Sequence, residues 1–332
     1  MRIGILGLGR IGAFHARTLL ELPHVKELVV TDAVPSVAHS VAEEVGATLV
    51  DSPQALFERG VDGVVIASST PTHAELIRAA VARGLPTFCE KPVTQGAAQA
   101  IALREELADS EVPVQIGFPR RFDAAYVAAR EQAQSGALGY LHTVRSTTLD
   151  PAPPPSAYIA ASGGIFHDCA VHDFDSVRWA TGQEVVEVMA VGGNQGVDYI
   201  EAAGDVEYAT SVLTLSGGTL AVVSNSRSNA RGHDVRLELL GSQDSVSAGL
   251  DENLPLRSAD PTVSFPSGKP WHFFMDRFAD AFRTELEAFT DVVAGVRSSP
   301  CTVHDAVQAS LVAEAATRSQ RERRPVLLEE IG

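Results

Sequence analysis

Short apolar runs alternate with helical patterns over the first 118 residues. Segments 2–6, 27–31, 48–50, 63–67, 87–89 and 114–116 read as strands, each short and mostly apolar, as a parallel sheet covered on both faces requires. Helical segments fill the gaps, and strand–helix alternation of this kind builds a doubly wound α/β sheet. The spacing predicts a helix over 72–83, with Thr72 and Glu75 as a capping box and Gly84 as its stop. Past Phe118 the period changes. A helix is expected over 122–134, then strands over 142–148, 185–191, 207–215, 219–224 and 235–240, pairing as antiparallel neighbours. Ser216-Gly217-Gly218 is a hairpin signal between two of them, and the prolines between 151 and 155 mark a rigid surface loop. Two helices, 276–293 and 303–320, follow. The pattern therefore predicts an N-terminal doubly wound parallel Rossmann sheet over 1–118. A C-terminal α+β domain over 119–332 would carry a large, mostly antiparallel open sheet, its final helices able to pack back on the first domain.

Length and composition agree with this division. A chain of 332 residues with 45% hydrophobic and 20% charged positions suits two packed domains rather than disorder or a fibrous repeat. Lys plus Arg number 26 against 42 for Asp plus Glu, a net charge of −16 that argues against nucleic acid and anionic membrane partners. Three cysteines make a disulfide framework improbable and point to a reducing, cytoplasmic setting. Glycines and Arg10 interrupt the apolar start, so residues 1–7 read as a strand rather than a signal peptide. No stretch approaches the ~18 apolar residues of a membrane-spanning helix. Only Lys26, Lys91 and Lys269 are lysines in an arginine-rich chain, which singles out any lysine standing in a chemical motif.

Gly7-Leu8-Gly9-Arg10-Ile11-Gly12 lies between the first strand and the first helix, the context in which G-x-G-x-x-G has chemical meaning. The first glycine permits the tight turn, the second lets backbone approach a pyrophosphate, and the third lets helix pack on strand. The helix N-terminus then attracts the phosphate charge. Asp32 ends the second strand, where a carboxylate accepts bonds from ribose hydroxyls and repels a 2′-phosphate, favouring NAD over NADP. Ser68, Thr70, Pro71 and His73 follow the fourth strand, where loops of this fold line the cofactor crevice. A flavin or S-adenosylmethionine could use a similar crevice, so the motif alone leaves the cofactor open.

Four segments together carry a family resemblance. They are Gly7 to Gly12, Cys89-Glu90-Lys91-Pro92, Gly117-Phe118-Pro119-Arg120-Arg121-Phe122-Asp123, and the run Gly163-Gly164-Ile165-Phe166-His167-Asp168-Cys169-Ala170-Val171-His172. The chain resembles the Gfo/Idh/MocA oxidoreductases and, within them, the inositol 2-dehydrogenases. The resemblance implies NAD-dependent oxidation of a secondary hydroxyl on a cyclic polyol or sugar, an inositol first and an aldose or sugar acid second. It also implies that Lys91, Asp168 and His172 are the catalytic set, that Glu90 and Lys91 lie beside the cofactor, and that the protein is a homodimer or homotetramer packed through its second sheet.

The residues can be read for chemistry beside the resemblance. Alcohol oxidation needs a hydride acceptor, a base for the hydroxyl proton and a cation near the oxygen. Asp168 and His172 stand four apart, a spacing that on a helix lets the carboxylate orient the imidazole, with His172 as proton acceptor. Lys91 stands at the carboxyl end of a parallel strand, where open α/β sheets bind ligands. The competing uses are an ordinary helix histidine with its surface partner and a solvated strand-end lysine. The histidines and aspartates of 167–175 could also suggest a metal, but no matching cluster occurs elsewhere and hydride transfer to NAD needs none, so no metal is expected. Arg121 is a donor fork for substrate hydroxyls or one half of an interdomain salt bridge. Asp150 and His233 are expected as substrate contacts, standing where the inositol enzymes' pattern carries Asn-Pro and a tyrosine. Cys89 and Cys169 read as buried small hydrophobes. A protein that kept the fold as an NAD sensor or scaffold but lost the chemistry is the non-enzymatic alternative.

Overall fold

A computed structural model describes residues 1–331. Its first sheet is built from β1 (Arg2–Leu6), β2 (Glu27–Thr31), β3 (Thr48–Leu49), β4 (Gly63–Ile66), β5 (Thr87–Glu90) and β6 (Val114–Gly117), in the order β3-β2-β1-β4-β5-β6. All of its pairings are parallel. Five helices connect the strands: α1 (Arg10–Leu20), α2 (Pro35–Val45), α3 (Pro53–Phe57), α4 (His73–Val81) and α5 (Ala97–Glu106). Strand order reverses between β1 and β4, and in sheets of this kind ligands enter at the carboxyl ends of the strands flanking such a switch. Ile3, Ile5, Leu19, Val30, Val65 and Phe88 form the core with Leu286 and Phe289 of the penultimate helix.

The capping box expected at Thr72 does not form. The Thr72 hydroxyl bonds the Ser69 carbonyl (2.8 Å) and the Ser68 hydroxyl (2.7 Å), closing a 3-10 turn over Thr70–Thr72. That hydroxyl is spent upstream, and α4 begins one residue later than predicted.

The second sheet contains β7 (Leu141–Leu149), β8 (Val185–Gly193), β9 (Tyr208–Leu215), β10 (Leu220–Ser226), β11 (Asp234–Gly241), β12 (Ser245–Ala248) and β13 (Val326–Leu327), in the order β12-β11-β7-β10-β9-β8-β13. Every pair is antiparallel except β7 with β10, which run parallel. Alternation along a strand reveals which face is buried but not the direction of its neighbour, so this one pair departs from expectation. Helices α6 (Ala124–Gln134), α7 (Ser156–Ile159) and α8 (Val171–Thr181) belong to this half, and a π-helical turn, Phe166–Ala170, leads into α8. On β9, Ala209, Ser211, Leu213 and Leu215 are buried while Tyr208 and Val212 are exposed, so the sheet's other face is partly apolar and open. The helix expected over 276–293 is broken at Phe278, between Phe274–Arg277 and Ala279–Val293.

The chain forms two compact units. One contains Met1–Pro119 with Phe282–Val307, and the other contains Arg120–Ala281 with the chain from Gln308 onward. The returning segment joins the first unit through its backbone carbonyls: the Ile116 amide donates to that of Cys301 (2.9 Å), and the Gln115 side chain, from Nε2, to that of Glu285 (3.1 Å). No helix among the described residues is long and apolar enough to cross a membrane.

Candidate active site

In the first unit, the turn after β1 is held by close packing. Gly7 has φ +96°, and a Cβ there would lie 2.5 Å from the Ser68 backbone; a Cβ on Gly12 would lie 2.0 Å from the Gly7 carbonyl oxygen. The fold itself demands both glycines. Gly9 differs, because its φ is −59° and nothing lies within 4 Å of the point where a Cβ would stand. No neighbour or backbone angle requires glycine at that position, and it stands exposed at the N-terminus of α1 with Arg10, while Ile11 is half-buried. Open space at the N-terminus of α1, where the helix dipole is positive, fits a pyrophosphate approaching the backbone. Asp32 reaches the same turn, one carboxylate oxygen accepting from the Leu8 amide (2.6 Å) and the other from the Val34 amide (2.7 Å). Each oxygen keeps a further lone pair for a ribose hydroxyl.

The loop after β4 places Ser68 and Thr70 half-buried and Pro71 exposed. His73 departs from its expected role as a cofactor contact. Its ring is buried, with Nδ1 2.8 Å from the Pro92 carbonyl and Nε2 3.0 Å from the Ser68 carbonyl, so both nitrogens face backbone rather than a ligand. Lys91 follows β5 directly, is half-buried, and is joined to Pro92 by a cis peptide bond. Glu90 is held by His15 of α1, whose Nε2 lies 2.6 Å from Glu90 Oε1. Cys89 is fully buried, and burial, with the nearby Glu90 charge, pushes its thiol well above the usual range, which makes it chemically inert.

In the second unit, His172 is the second residue of α8 and is half-buried; its carbonyl accepts from the Ser176 hydroxyl (2.7 Å). Asp168 lies one turn earlier, inside the π-helical turn. A π turn closes on the fifth residue rather than the fourth, so the four-residue spacing falls short of a full turn there. The carboxylate is oriented from two sides: Oδ1 accepts from Tyr158 Oη (2.8 Å) and Oδ2 from Arg227 Nη1 (2.9 Å). Arg227 is itself almost completely buried and also reaches Asp205 (3.4 Å), whose carboxylate accepts from the Ile165 and Val206 amides. Arginine does not lose its proton in proteins, so this contact favours an ionised Asp168.

The remaining expected substrate residues divide. Asp150 and His233 come together, with His233 Nδ1 3.1 Å from Asp150 Oδ1, and the Cys169 thiol donates to the other oxygen of Asp150 (3.4 Å). Arg121 turns its fork inward instead, donating from Nε (2.9 Å) and Nη2 (2.6 Å) to the two oxygens of buried Asp175. It anchors α8 from within this unit rather than presenting two donors to a ligand. Arg120 does likewise with Asp173, and Ser146, Thr148 and Asn225 also donate to that carboxylate. No motif in the sequence points to Tyr158, Asp205 or Arg227. Asp168 and Arg227 are 59 residues apart, and no local pattern links them. Among the described residues, no group of three His, Cys, Asp or Glu side chains is placed to hold a metal ion.

Comparison with known proteins covers both units. Residues 1–118 match the model of an oxidoreductase family, GFO/IDH/MocA, with an NAD-binding Rossmann fold, and residues 126–247 match the GFO/IDH/MocA C-terminal domain. A myo-inositol 2-dehydrogenase of Thermotoga maritima is 35% identical over 333 residues, covering 100% of this chain and 99% of that protein. The crystal structure of a myo-inositol dehydrogenase from Corynebacterium glutamicum superposes with a TM-score of 0.91 at 35% identity, covering 99% of this chain and 98% of its own. That of scyllo-inositol dehydrogenase from Lactobacillus casei, with bound NAD(H) and scyllo-inositol, gives 0.88 at 28% identity and covers 99% of each chain.

Proposed function

This chain belongs to the Gfo/Idh/MocA oxidoreductase family, and from that membership we propose that it is an NAD-dependent dehydrogenase oxidising a secondary hydroxyl of a cyclic polyol, an inositol before other sugars. The observation that carries the reading is the extent of the similarity. Inositol dehydrogenases match this chain from end to end, so the likeness includes the unit that would hold substrate as well as the NAD-binding one. NAD bound at the Gly7–Gly12 turn would supply the hydride acceptor. Gly9 and the α1 N-terminus would receive its pyrophosphate, and Asp32 its adenosine ribose, with the carboxylate discriminating against a 2′-phosphate.

His172 takes the proton of the substrate hydroxyl. Asp168, kept ionised by Arg227, favours the imidazolium that results. Lys91 sets an ammonium against the oxygen as negative charge develops there. Asp150 with His233 contributes polar contacts that choose among hydroxyls. Measuring NADH formation across a panel of inositol isomers, aldoses and sugar acids tests the assignment. An inositol should give the highest kcat/KM with NAD, and His172→Ala should lower kcat by roughly 100-fold or more while sparing NAD affinity. Tight NAD binding without turnover on any member would indicate a sensor instead.

The open face of the second sheet, with Val191, Tyr208, Val212 and Leu220 exposed, supports a homodimer or homotetramer packed through it. Sedimentation should show an assembly at micromolar concentration that Val212→Glu dissociates, and a wild-type monomer there would refute it.

A further inference from the structure

Two buried histidines of the first unit have no place in the chemistry above, yet both hold the neighbours of Lys91. His15, on α1, is completely buried, and its Nε2 meets the Glu90 carboxylate at 2.6 Å. The other face of the ring packs against Phe14, Phe88 and Phe282, and its Nδ1 has no hydrogen-bond partner among the described residues. A carboxylate accepts, so the Nε2–H form of the ring satisfies Glu90 and leaves a bare nitrogen against hydrocarbon. The ring has one polar task, and it is Glu90.

His73 holds the opposite side. Its two nitrogens face the carbonyls of Pro92 and Ser68; carbonyl oxygens can only accept, so a neutral ring donates to one and packs against the other, and a doubly protonated ring donates to both. It thereby ties the turn after β5 to the loop after β4. Ser68 is in turn wedged against Gly7, where even a methyl group would clash. A continuous path of backbone and imidazole therefore runs from the cofactor turn through Ser68 and His73 to Pro92, next to Lys91.

We propose that His15 and His73 are positioning residues, a clamp that fixes the Glu90-Lys91-Pro92 turn and registers Lys91 with the glycine turn. The inference rests on the role given to Lys91 above. Fixing the residues on either side restricts the lysine backbone, and pre-organisation of this kind acts on turnover rather than on affinity.

A double-mutant cycle tests it. His73→Ala should lower kcat about 10- to 100-fold with the polyol KM and the NAD Kd changed less than about 3-fold, and His73→Asn, which keeps one donor, should recover part of the loss. In a Lys91→Ala background the same substitution should have no further effect. Multiplicative losses in that background, or a parallel loss of NAD affinity, would overturn the clamp. Lys91→Ala with unchanged turnover would instead remove the role on which the clamp depends. A second measurement is independent of activity. Because Lys26, Lys91 and Lys269 are the only lysines, reductive methylation of the full-length protein with 13C-formaldehyde yields three assignable side-chain signals beside that of the N-terminal amine. His73→Asn should shift or broaden the Lys91 signal and leave the other two in place, and an unmoved Lys91 signal counts against the proposal even if His73→Ala fails to fold.

Discussion

The two units hold their functional groups by different means. In the first, Gly7 to Gly12, Ser68 to His73 and Glu90 to Pro92 each lie at the end of a strand of one parallel sheet. Sheet order alone delivers them to one edge, and backbone packing and backbone carbonyls do most of the fixing. In the second, Asp168, Tyr158, Asp205 and Arg227 come from separate segments and are joined through side-chain hydrogen bonds and ion pairs. A site made of backbone tolerates the loss of many side chains. A site made of buried charges does not, because removing one member leaves the other desolvated and uncompensated.

This contrast can be broken most sharply at Asp173, which lies beside His172 and accepts from Arg120, Ser146, Thr148 and Asn225 in a buried cluster. Asp173→Ala leaves Arg120 buried without its charge partner, at a cost of about 3–5 kcal/mol. Urea unfolding should show that loss, and a loss below about 1 kcal/mol would mean that the second unit does not depend on the pair. A smaller effect is expected at Arg227→Met, which removes a charged hydrogen bond to Asp168 worth about 1.5–3 kcal/mol. Turnover should fall about 10- to 100-fold with NAD affinity unchanged, and an equal loss of NAD affinity would erase the distinction between the units. The smallest expected effect falls on the backbone-built side. Gly9→Ala should leave stability within about 0.5 kcal/mol, since nothing surrounds that position, yet weaken NAD by about tenfold. Titration of fluorescence with NAD checks this, and unchanged affinity would show that the open space beside Gly9 does not serve the pyrophosphate.

The same difference separates what is legible in the sequence from what is not. Gly12 and Asp32 can be read in order because their partners, Gly7, Leu8 and Val34, lie in one βαβ unit, where local rules apply, and Gly7 is legible from its place in the same motif although it packs on Ser68 of a later loop. Arg121 is recognisable as a donor fork, but its acceptor, Asp175, is 54 residues away, so its use cannot be read. His73 is expected to face a ligand because it follows a strand end; burial turns its ring to two carbonyls instead. The Thr72–Glu75 spacing fails as a capping box because the Thr72 hydroxyl donates to the Ser69 carbonyl and accepts from the Ser68 hydroxyl instead.

By itself the sequence determined the βα alternation of the first half, the glycine turn, the acid that ends β2, and the four motifs that mark the family. Those are short-range properties, set by periodicity, by backbone sterics and by patterns a few residues long. Tertiary structure alone decided the parallel pairing of β7 with β10, the return of Phe282–Val307 to the first unit, and the partners of Asp168, Arg121 and His73. A buried polar group bonds to whatever donor or acceptor the packed chain brings within about 3 Å, and that proximity is fixed only when distant segments close on one another.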